Sequence, residues 1–419
     1  MTMTTPGTSI ALTGPTLAAD ITFTRASVGT YFDVAGALQD AAINAPRFTY
    51  DPATHEALGL LVEETRTNLV LNNATGVTSS VTVTAVAHTL SFVGTGSVAL
   101  SGAFVGNLAG IGPGFGDRRT LTFTPAAGSL TLTVTGSVQW LQVEAGASAT
   151  TIIKTTGAAT TRSADNAVVT GAAFSAFWNQ AQGTVQVEGR VPVFGASTTN
   201  ALFAAGNPAL AFGVRDVIVA SFSGGNSGRP STSFTLGGVT QANLLVPLFM
   251  TAGAPVNHVN SWAANSFNEY ANSVAAPEDL LGTVPPTVGL SIGSLTQAWS
   301  GATNQLNSTI KSFRYWNTAL TPAQLQALSS SSGGTRNGGL LYNNDGALVV
   351  ADGGAIFGYV QGGLPVTSDG ALCVAYGGAP VRFLAGIPFD AAWRVCLVAP
   401  VPPVELEAFD ISFEDPAFG

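Results

Sequence analysis

The sequence contains 419 residues, of which 9% are charged, and its formal net charge is −9. This length is more than a usual single domain needs and predicts two to four domains. Because nucleic-acid binding requires a basic face that neutralises phosphates, 15 Lys and Arg against 24 Asp and Glu predict no nucleic-acid partner. The scarcity of charge and the 49 Gly favour short strands, tight turns and a surface covered by other subunits.

The first 72 residues are predicted to form a segment that attaches the protein to a neighbour. Residues 1–20 are rich in Thr, Ala, Pro and Gly, and Asp20 is their single charge. An extended arm of this kind gains order by adding a strand to the sheet of another protein. The acidic, proline-bounded tail after residue 400 is the alternative docking element.

Four charged residues in this segment are predicted to form structural ion pairs. Glu63, Glu64 and Arg66 lie within four positions of a charge-poor chain, and Arg47 precedes them. Guanidinium groups can bind carboxylates through two parallel hydrogen bonds, so Arg47 and Arg66 suit this role. Most such clusters are structural, and we therefore favour ion pairs over a catalytic carboxylate pair.

Two β-sandwiches are predicted to follow, over residues 73–165 and 166–331. Short runs of alternating apolar and polar residues are separated by Gly-rich turns, which is typical of sandwich strands. The second sandwich is predicted to close with an aromatic-rich strand at 310–317. A short helix comes next, which Thr321 caps and Pro322 begins.

The tryptophans divide by their sequence context. Trp140, Trp262 and Trp316 lie in alternating strands and are predicted to be core residues. Trp178 and Trp299 lie in loop-like contexts rich in Asn and Gly, where an exposed indole can stack on a sugar ring. These two residues are the candidate glycan contacts.

Residues 332–419 are predicted to form a small β-rich C-terminal module with an acidic tail. An Asp-Gly turn followed by an apolar strand occurs there twice, at 344–350 and 368–374. Cys373 and Cys396 belong to no metal-ligand pattern. Two buried thiols are favoured for them, and a disulfide stays open as the alternative.

No catalytic residue, cofactor or metal site is predicted. His55, His88 and His258 are dispersed along the chain, which contains neither a Gly-x-Ser-x-Gly nor a Walker pattern. The string closest to a glycosidase carboxylate motif, residues 405–410, lies in the acidic tail outside both sandwiches. The chain is therefore predicted not to be an enzyme. Pro and Gly interrupt its apolar runs, so no membrane insertion is predicted either.

Three phrases in the first 72 residues closely resemble the opening module of head-spike, head-fibre and tail-fibre proteins of tailed bacteriophages. In order, they are R-A-S-x-G-T-Y at 25–31, P-R-F-x-Y-D-P at 46–52 and G-L-L-x-E-E-x-R-T-N-L at 59–69. The ends of the two predicted sandwiches resemble a carbohydrate-binding-module-like jelly roll and a laminin-G-like (concanavalin-A-like) jelly roll of the same proteins. The residues concerned are 141–146 and 160–165 for the first, and Trp262–Asn265, Ser291–Ser294, Arg314–Trp316 and Leu320–Leu328 for the second.

This resemblance implies an all-β protein of tandem jelly-roll sandwiches that forms a virion appendage and is made in the host cytoplasm. The fibre families imply a homotrimer that joins other virion proteins through its N-terminal segment and adheres to the host surface. A glycan-binding receptor-recognition protein of the tail is the first alternative, and a polysaccharide depolymerase is the second. Both a head and a tail position fit the fold.

Overall fold

The computed structural model describes residues 7–14, 16–193, 199–223, 228–301 and 304–330, and the backbone of six short strands between residues 341 and 410. The chain divides into two compact units, Met1–Ser332 and Gly333–Gly419. Strands predominate over a few short helices in the described residues, so the predicted all-β class is confirmed. No helix in these residues is both long and apolar enough to span a membrane.

Seven short strands open the chain. They are β1 (Thr8–Ala11), β2 (Thr22–Thr24), β3 (Gly29–Phe32), β4 (Leu38–Ala41), β5 (Phe48–Tyr50), β6 (Ala57–Val62) and β7 (Arg66–Asn68). β3 and β4 pair as a separate hairpin, whereas β1, β2, β5 and β6 join sheets that later strands complete.

The next seven strands form the smaller of two sandwiches. They are β8 (Ser79–Val83), β9 (His88–Val93), β10 (Ser97–Gly102), β11 (Gly106–Ala109), β12 (Arg119–Phe123), β13 (Gly128–Thr135) and β14 (Gln139–Ala145), with a 3-10 helix at Phe115–Asp117. Their sheets have the strand orders β11-β10-β13-β8 and β12-β9-β14. Apolar side chains of both sheets, among them Leu90, Phe92 and Leu130, meet in a buried core.

Twelve further strands and most of the helical residues complete the first unit. The strands are β15 (Thr160–Arg162), β16 (Asn166–Thr170), β17 (Gln182–Arg190), β18 (Thr199–Gly206), β19 (Val217–Ser223), β20 (Pro230–Leu236), β21 (Val239–Leu245), β22 (Pro255–Ala263), β23 (Ser266–Ala271), β24 (Val274–Ala275), β25 (Gly289–Ile292) and β26 (Ser308–Trp316). The helices are α1 (Gly171–Ser175), a 3-10 helix at Phe212–Val214 and α2 (Pro322–Ser330).

The larger sandwich consists of two extended sheets. The first has the strand order β24-β23-β22-β17-β26-β6-β5, and β1 also pairs with β26. The second has the order β2-β16-β25-β18-β19-β20-β21. Apolar side chains from both sheets pack into one continuous core.

The smaller sandwich is an insertion in the larger one. β7 pairs antiparallel with β15, so that Asn68 lies opposite Thr160, where the chain leaves the larger sandwich and returns to it. Strands from both sides of the insertion share the sheets of the larger sandwich, because β2 pairs with β16 and β6 with β26. β1 pairs with β26 of the same chain, and Ile10 and Leu12 are buried in the same core, so the expectation that this part of the arm adds a strand to the sheet of another protein is wrong. The attachment role of the N-terminal segment stays a prediction.

β26, the predicted aromatic-rich strand, runs through the middle of the first sheet. It pairs with β17 along one edge and with β6 and β1 along the other. Ile310, Phe313 and Tyr315 are fully buried in the core. The predicted aromatic-rich strand is therefore confirmed, and β1 pairs with it.

Thr321 caps α2, as the sequence predicts. Its Oγ1 accepts a hydrogen bond from the Gln324 backbone N–H at 3.4 Å, and Gln324 Oε1 accepts one from the Thr321 N–H at 3.0 Å. This reciprocal arrangement satisfies donors that the first turn of a helix leaves without partners. Leu325 and Leu328 are buried with Trp316 in a small cluster outside the main core.

The described strands of the second unit are β27 (Leu341–Tyr342), β28 (Leu348–Asp352), β29 (Ala355–Tyr359), β30 (Leu372–Ala375), β31 (Arg394–Val398) and β32 (Phe409–Asp410). β27, β28 and β29 form one sheet, and β30, β31 and β32 form another. The backbones of Cys373 and Cys396 lie opposite each other in the parallel pair of β30 and β31. Their side chains and most of the acidic tail lie outside the described residues.

Candidate functional site

Two of the four predicted ion-pair residues belong to a buried network of five charges. Glu63 lies 2.8 Å from Arg47 and 2.6 Å from Arg162. Asp165 lies 3.1 Å from Arg25 and also pairs with Arg47. All five side chains are at most 5% exposed. We call these five residues the charge network.

Glu63 is held in this network as an ionised group. Thr151 donates to its two oxygens from the backbone N–H and from the hydroxyl, both at 2.7 Å. Burial alone would raise the pKa of Glu63, but the charges of Arg162 and Arg47 and the hydrogen bonds from Thr151 lower that pKa to about 2. A carboxylate that is buried, fully bonded and ionised is a poor general acid or base, so we assign it a structural role.

Glu64 and Arg66 form a separate ion pair, which corrects the prediction of a single cluster. Arg66 Nε donates to Glu64 Oε1 at 2.8 Å, and both side chains are partly exposed. Successive side chains of an extended chain point to opposite sides, so Glu64 does not reach the network of Glu63. Arg66 also donates to the carbonyl of Ala145, and a Cβ at Gly146 would collide with its guanidinium.

Three members of the charge network were not predicted from the sequence: Arg25, Arg162 and Asp165. Asp165 is 118 positions from Arg47 along the chain, and strand periodicity carries no information on such a pairing. The available signal was the scarcity of charge. In a chain with only 9% charged residues, each buried charge is a candidate for a structural role. Arg25 lies in the first of the three phrases, and Arg162 and Asp165 lie in the stretch 160–165, which also carries the family resemblance.

A second polar group is enclosed between the two sheets of the larger sandwich. His258 Nε2 lies 2.6 Å from Glu269 Oε1, which also accepts a hydrogen bond from Thr232 Oγ1 at 3.1 Å. All three residues are 0% exposed, so a substrate does not reach them in this structure. In the described part of the chain, no group of three or more His, Cys, Asp or Glu is arranged to hold a metal.

The structure removes the reason for treating Trp178 as a glycan contact. Its side chain is 6% exposed and stacks on Tyr315 with ring centroids 4.8 Å apart. Phe174, one helical turn earlier, stacks on it at 5.0 Å, so both rings enter the core. Burial raises the pKa of Tyr315 to about 12, in keeping with a dry environment. The expected exposure was wrong because the polar context begins only at Asn179, after the tryptophan.

Trp140 departs from its prediction in the opposite sense. It was expected in the core, but it is partly exposed. β14 contains an irregularity between Gln139 and Gln142, where Trp140 has a φ of +53° and the alternation of the strand is broken. Trp262 and Trp316, in contrast, are 0% and 4% exposed, which confirms them as buried residues.

Trp299 lies beside Phe212 and Arg215 in the larger sandwich. The rings of Trp299 and Phe212 are 5.2 Å apart at an angle of 75°. Arg215 Cζ lies 3.9 Å from the centroid of Phe212 and 5.4 Å from that of Trp299. Phe212 is 58% exposed, and the other two residues are partly exposed. We call these three residues the aromatic–arginine platform.

Loops that follow β18, β20 and β25 hold the platform in place. The Gly238 N–H donates to the carbonyl of Arg215 at 3.0 Å, and the Ser300 N–H donates to the carbonyl of Leu210 at 2.6 Å. Trp299 also packs on a small apolar cluster that is separate from the main core. Backbone contacts between the loops therefore fix the relative positions of the indole, the phenyl ring and the guanidinium.

Arg215 has no acidic partner among the described residues. Its Nη1 donates to the carbonyl of Phe212 at 2.7 Å, and partial burial lowers its pKa. The adjacent Asp216 is engaged elsewhere, since its Oδ1 accepts from the Gly237 N–H at 2.6 Å. The sequence does not predict that Phe212 and Arg215 lie beside Trp299, because this contact joins loops that are far apart along the chain.

Comparisons with known proteins give no family. No protein family model matches the sequence, and no curated protein matches it. The leech intramolecular trans-sialidase aligns at 14% identity with a TM-score of 0.31, over 43% of this chain and 30% of that enzyme. The CBM40 domain of Ruminococcus gnavus IT-sialidase, bound to α2,3-sialyllactose, aligns at 12% identity with a TM-score of 0.29, over 36% of this chain and 83% of that domain.

A Trypanosoma rangeli sialidase is a third structure of this kind. It aligns at 15% identity with a TM-score of 0.30, over 40% of this chain and 26% of that enzyme. The aligned region therefore spans less than a third of each of the two enzymes. Likeness at this level assigns neither a family nor an activity to the chain.

Proposed function

We propose that this protein is a non-enzymatic adhesion protein of a tailed-phage appendage and that it binds a glycan on the aromatic–arginine platform. The observation that carries the binding part is the platform itself. An indole, a phenyl ring and a guanidinium lie there between 3.9 and 5.4 Å apart, and all three are open to solvent at least in part.

Each part of the platform supplies one element of sugar recognition. The C–H-rich face of a pyranose packs on an aromatic ring and removes apolar area from water. The guanidinium offers a fixed fork of N–H donors to oxygen atoms at the edge of the same sugar. Because Arg215 is stacked on Phe212, its donors are oriented before a ligand arrives, which lowers the entropic cost of binding.

The phage part of the proposal is supported by the three sequence phrases and by where their residues lie. Each phrase contributes one member of the charge network, namely Arg25, Arg47 and Glu63. The phrases therefore belong to one folded element and not to three unrelated runs. Imaging of particles labelled with antibody to this chain tests the assignment, and particles that carry no label contradict it.

We further propose a homotrimer, as in the fibre families, that joins other virion proteins through its N-terminal segment. Supporting this, only 9% of the residues are charged, which suits a surface covered by other subunits. Light scattering of the purified protein measures its mass directly. A monomer mass at micromolar concentration contradicts the trimer and leaves the glycan site as a separate question.

Glycan binding is tested on polysaccharide from the surface of the host with matched variants. Trp299→Ala should weaken binding about tenfold, because it removes the stacking surface. Phe249→Ala is the control, since Phe249 is 70% exposed and lies 5.7 Å from the guanidinium of Arg229 in the same sandwich. Unchanged binding by Trp299→Ala, or an equal loss in both variants, contradicts the proposed site.

A depolymerase is the competing function, and the same preparation tests it. Both buried groups that contain carboxylates, the charge network and the His258–Glu269 pair, are closed to solvent, which disfavours cleavage by either of them. If the purified protein shortens the polysaccharide, the non-enzymatic proposal is wrong.

A further inference from the structure

We propose that the aromatic–arginine platform selects sugars that carry a carboxylate, and that Arg215 is the specificity-determining residue. This inference rests on the glycan binding proposed above and adds the chemical class of the ligand. Three observations support it: the donors that Arg215 leaves unused, the contacts that orient its guanidinium and the absence of a compensating charge among the described residues.

The unused donors of Arg215 form the edge that binds a carboxylate best. Nη1 is occupied, because it donates to the carbonyl of Phe212 at 2.7 Å. The Nε and Nη2 nitrogens make no hydrogen bond to a described residue, and they lie side by side on one edge of the planar group. Two parallel N–H donors on such an edge match the two oxygens of a carboxylate. A hydroxyl offers a single oxygen and uses only half of this edge.

The guanidinium is held in place by contacts that carry no charge. Its Cζ lies 3.9 Å from the centroid of the Phe212 ring, and the Phe212 carbonyl fixes one end of the fork. A ligand therefore does not need to order a long flexible side chain, which is a main cost of binding by surface cations. Trp299 lies 5.4 Å from the same Cζ, so a sugar stacked on the indole places its substituents within reach of the fork.

Several other surface cations in the described part of the chain pair with carboxylates of the protein. Lys154 lies 2.8 Å from Asp40, Arg190 lies 2.8 Å from Glu56, and Arg314 lies 3.5 Å from Glu188. Arg215 has no such partner, although partial burial makes an uncompensated charge less favourable there. An anionic ligand supplies the missing partner. Because the net charge of the chain is −9, this selection must be local and not a long-range attraction of polyanions.

The experiment compares one sugar in two charge states. Trisaccharides of galacturonic acid and of glucuronic acid are titrated calorimetrically into the full chain, each as the free acid and as its methyl ester. Esterification removes the negative charge and keeps the ring faces. The wild type should bind the acid form about 10- to 100-fold more tightly, the range that a charge-assisted hydrogen-bonded pair provides.

Variants of Arg215 separate this inference from general sugar binding. Arg215→Gln should reduce the preference for the acid to about 1 and keep weak binding of the ester, and Arg215→Lys should restore only part of the preference because it lacks the fork. Arg229→Gln, at the comparable exposed ring of Phe249, is the control and should change nothing.

The outcomes distinguish the two proposals. If the wild type binds ester and acid equally well, or if Arg215→Gln keeps the preference, carboxylate selection is wrong and glycan binding stands. If Trp299→Ala leaves the binding of both forms unchanged, the platform is not the site and both proposals fall. Absence of binding by the wild type to either form at millimolar concentration also rejects the carboxylate inference.

Discussion

Replacing Glu63 with Gln should lower the free energy of unfolding by about 3–4 kcal/mol at neutral pH. The pKa of Glu63 falls from an ordinary 4.5 to about 2 in the folded chain, which corresponds to about 3–4 kcal/mol at roughly 1.4 kcal/mol per pKa unit. The substitution also removes the ion-pair partner of Arg162 and leaves Arg47 and Arg25 to share Asp165, the remaining carboxylate of the charge network. Loss of one partner from a buried ion pair typically costs about 3–5 kcal/mol, so both routes give a similar magnitude.

The effect should depend on pH in a defined direction. Because the pKa of Glu63 is lowered on folding, its stabilisation is complete above about pH 4.5 and is lost as the pH falls towards 2. The wild type should therefore lose stability across this window more steeply than Glu63→Gln, and the two proteins should converge at the acidic end. Urea denaturation followed by tryptophan fluorescence at several pH values measures both curves.

Glu64→Gln is the matched control for this experiment. The adjacent Glu64 also pairs with an arginine, but its side chain is 31% exposed, and exposed pairs contribute at most about 1 kcal/mol. If Glu63→Gln destabilises the protein no more than Glu64→Gln does at neutral pH, the charge network is not a stabilising element and the reasoning is refuted.

Three further predictions concern packing. Gly29→Ala should lower the free energy of unfolding by about 1–3 kcal/mol, because a Cβ there lies 3.0 Å from the buried guanidinium of Arg25. Gly14→Ala, which meets no atom within 4 Å, is its control in thermal denaturation, and equal melting temperatures contradict the close approach. Trp178→Ala should lower the free energy of unfolding by about 3–5 kcal/mol and leave the glycan affinity of the folded protein unchanged in calorimetry. A variant that keeps its stability but loses glycan affinity contradicts this prediction and assigns Trp178 to the binding site. Removal of residues 1–12 should lower the melting temperature, since it deletes β1 and the fully buried Leu12; an unchanged melting temperature contradicts the pairing of β1 with β26.

The sequence predicts those parts of the fold that local patterns encode. β26 and α2 combine periodic apolar residues with a capping box and an N-terminal proline, and both occur close to where they were expected. The insertion of one sandwich in the other was not predictable in this way. It depends on the pairing of β2 with β16 and of β6 with β26, which joins residues more than a hundred positions apart.

The candidate site was predictable only in part, for the same reason. Trp299 was chosen because of its loop-like context, but Phe212 and Arg215 reach it only through the folding of separate loops. Trp140 was misassigned because periodicity assumes a regular strand, and Trp178 was misassigned because the polar context begins only after it. An irregularity in β14 turns Trp140 out of the core, and the turn that follows α1 carries Trp178 into it.

The antiparallel pair β7–β15 determines how the protein responds to mechanical tension. The chain leaves the larger sandwich at Asn68 and returns opposite, at Thr160. The hydrogen bonds between β7 and β15 therefore transmit a force applied along the chain, and the inserted sandwich does not bear this force. The inserted sandwich can therefore stay folded while the larger sandwich resists the force. The buried ion pairs of Glu63 and Asp165, which lie beside the junction, stabilise the larger sandwich at this point.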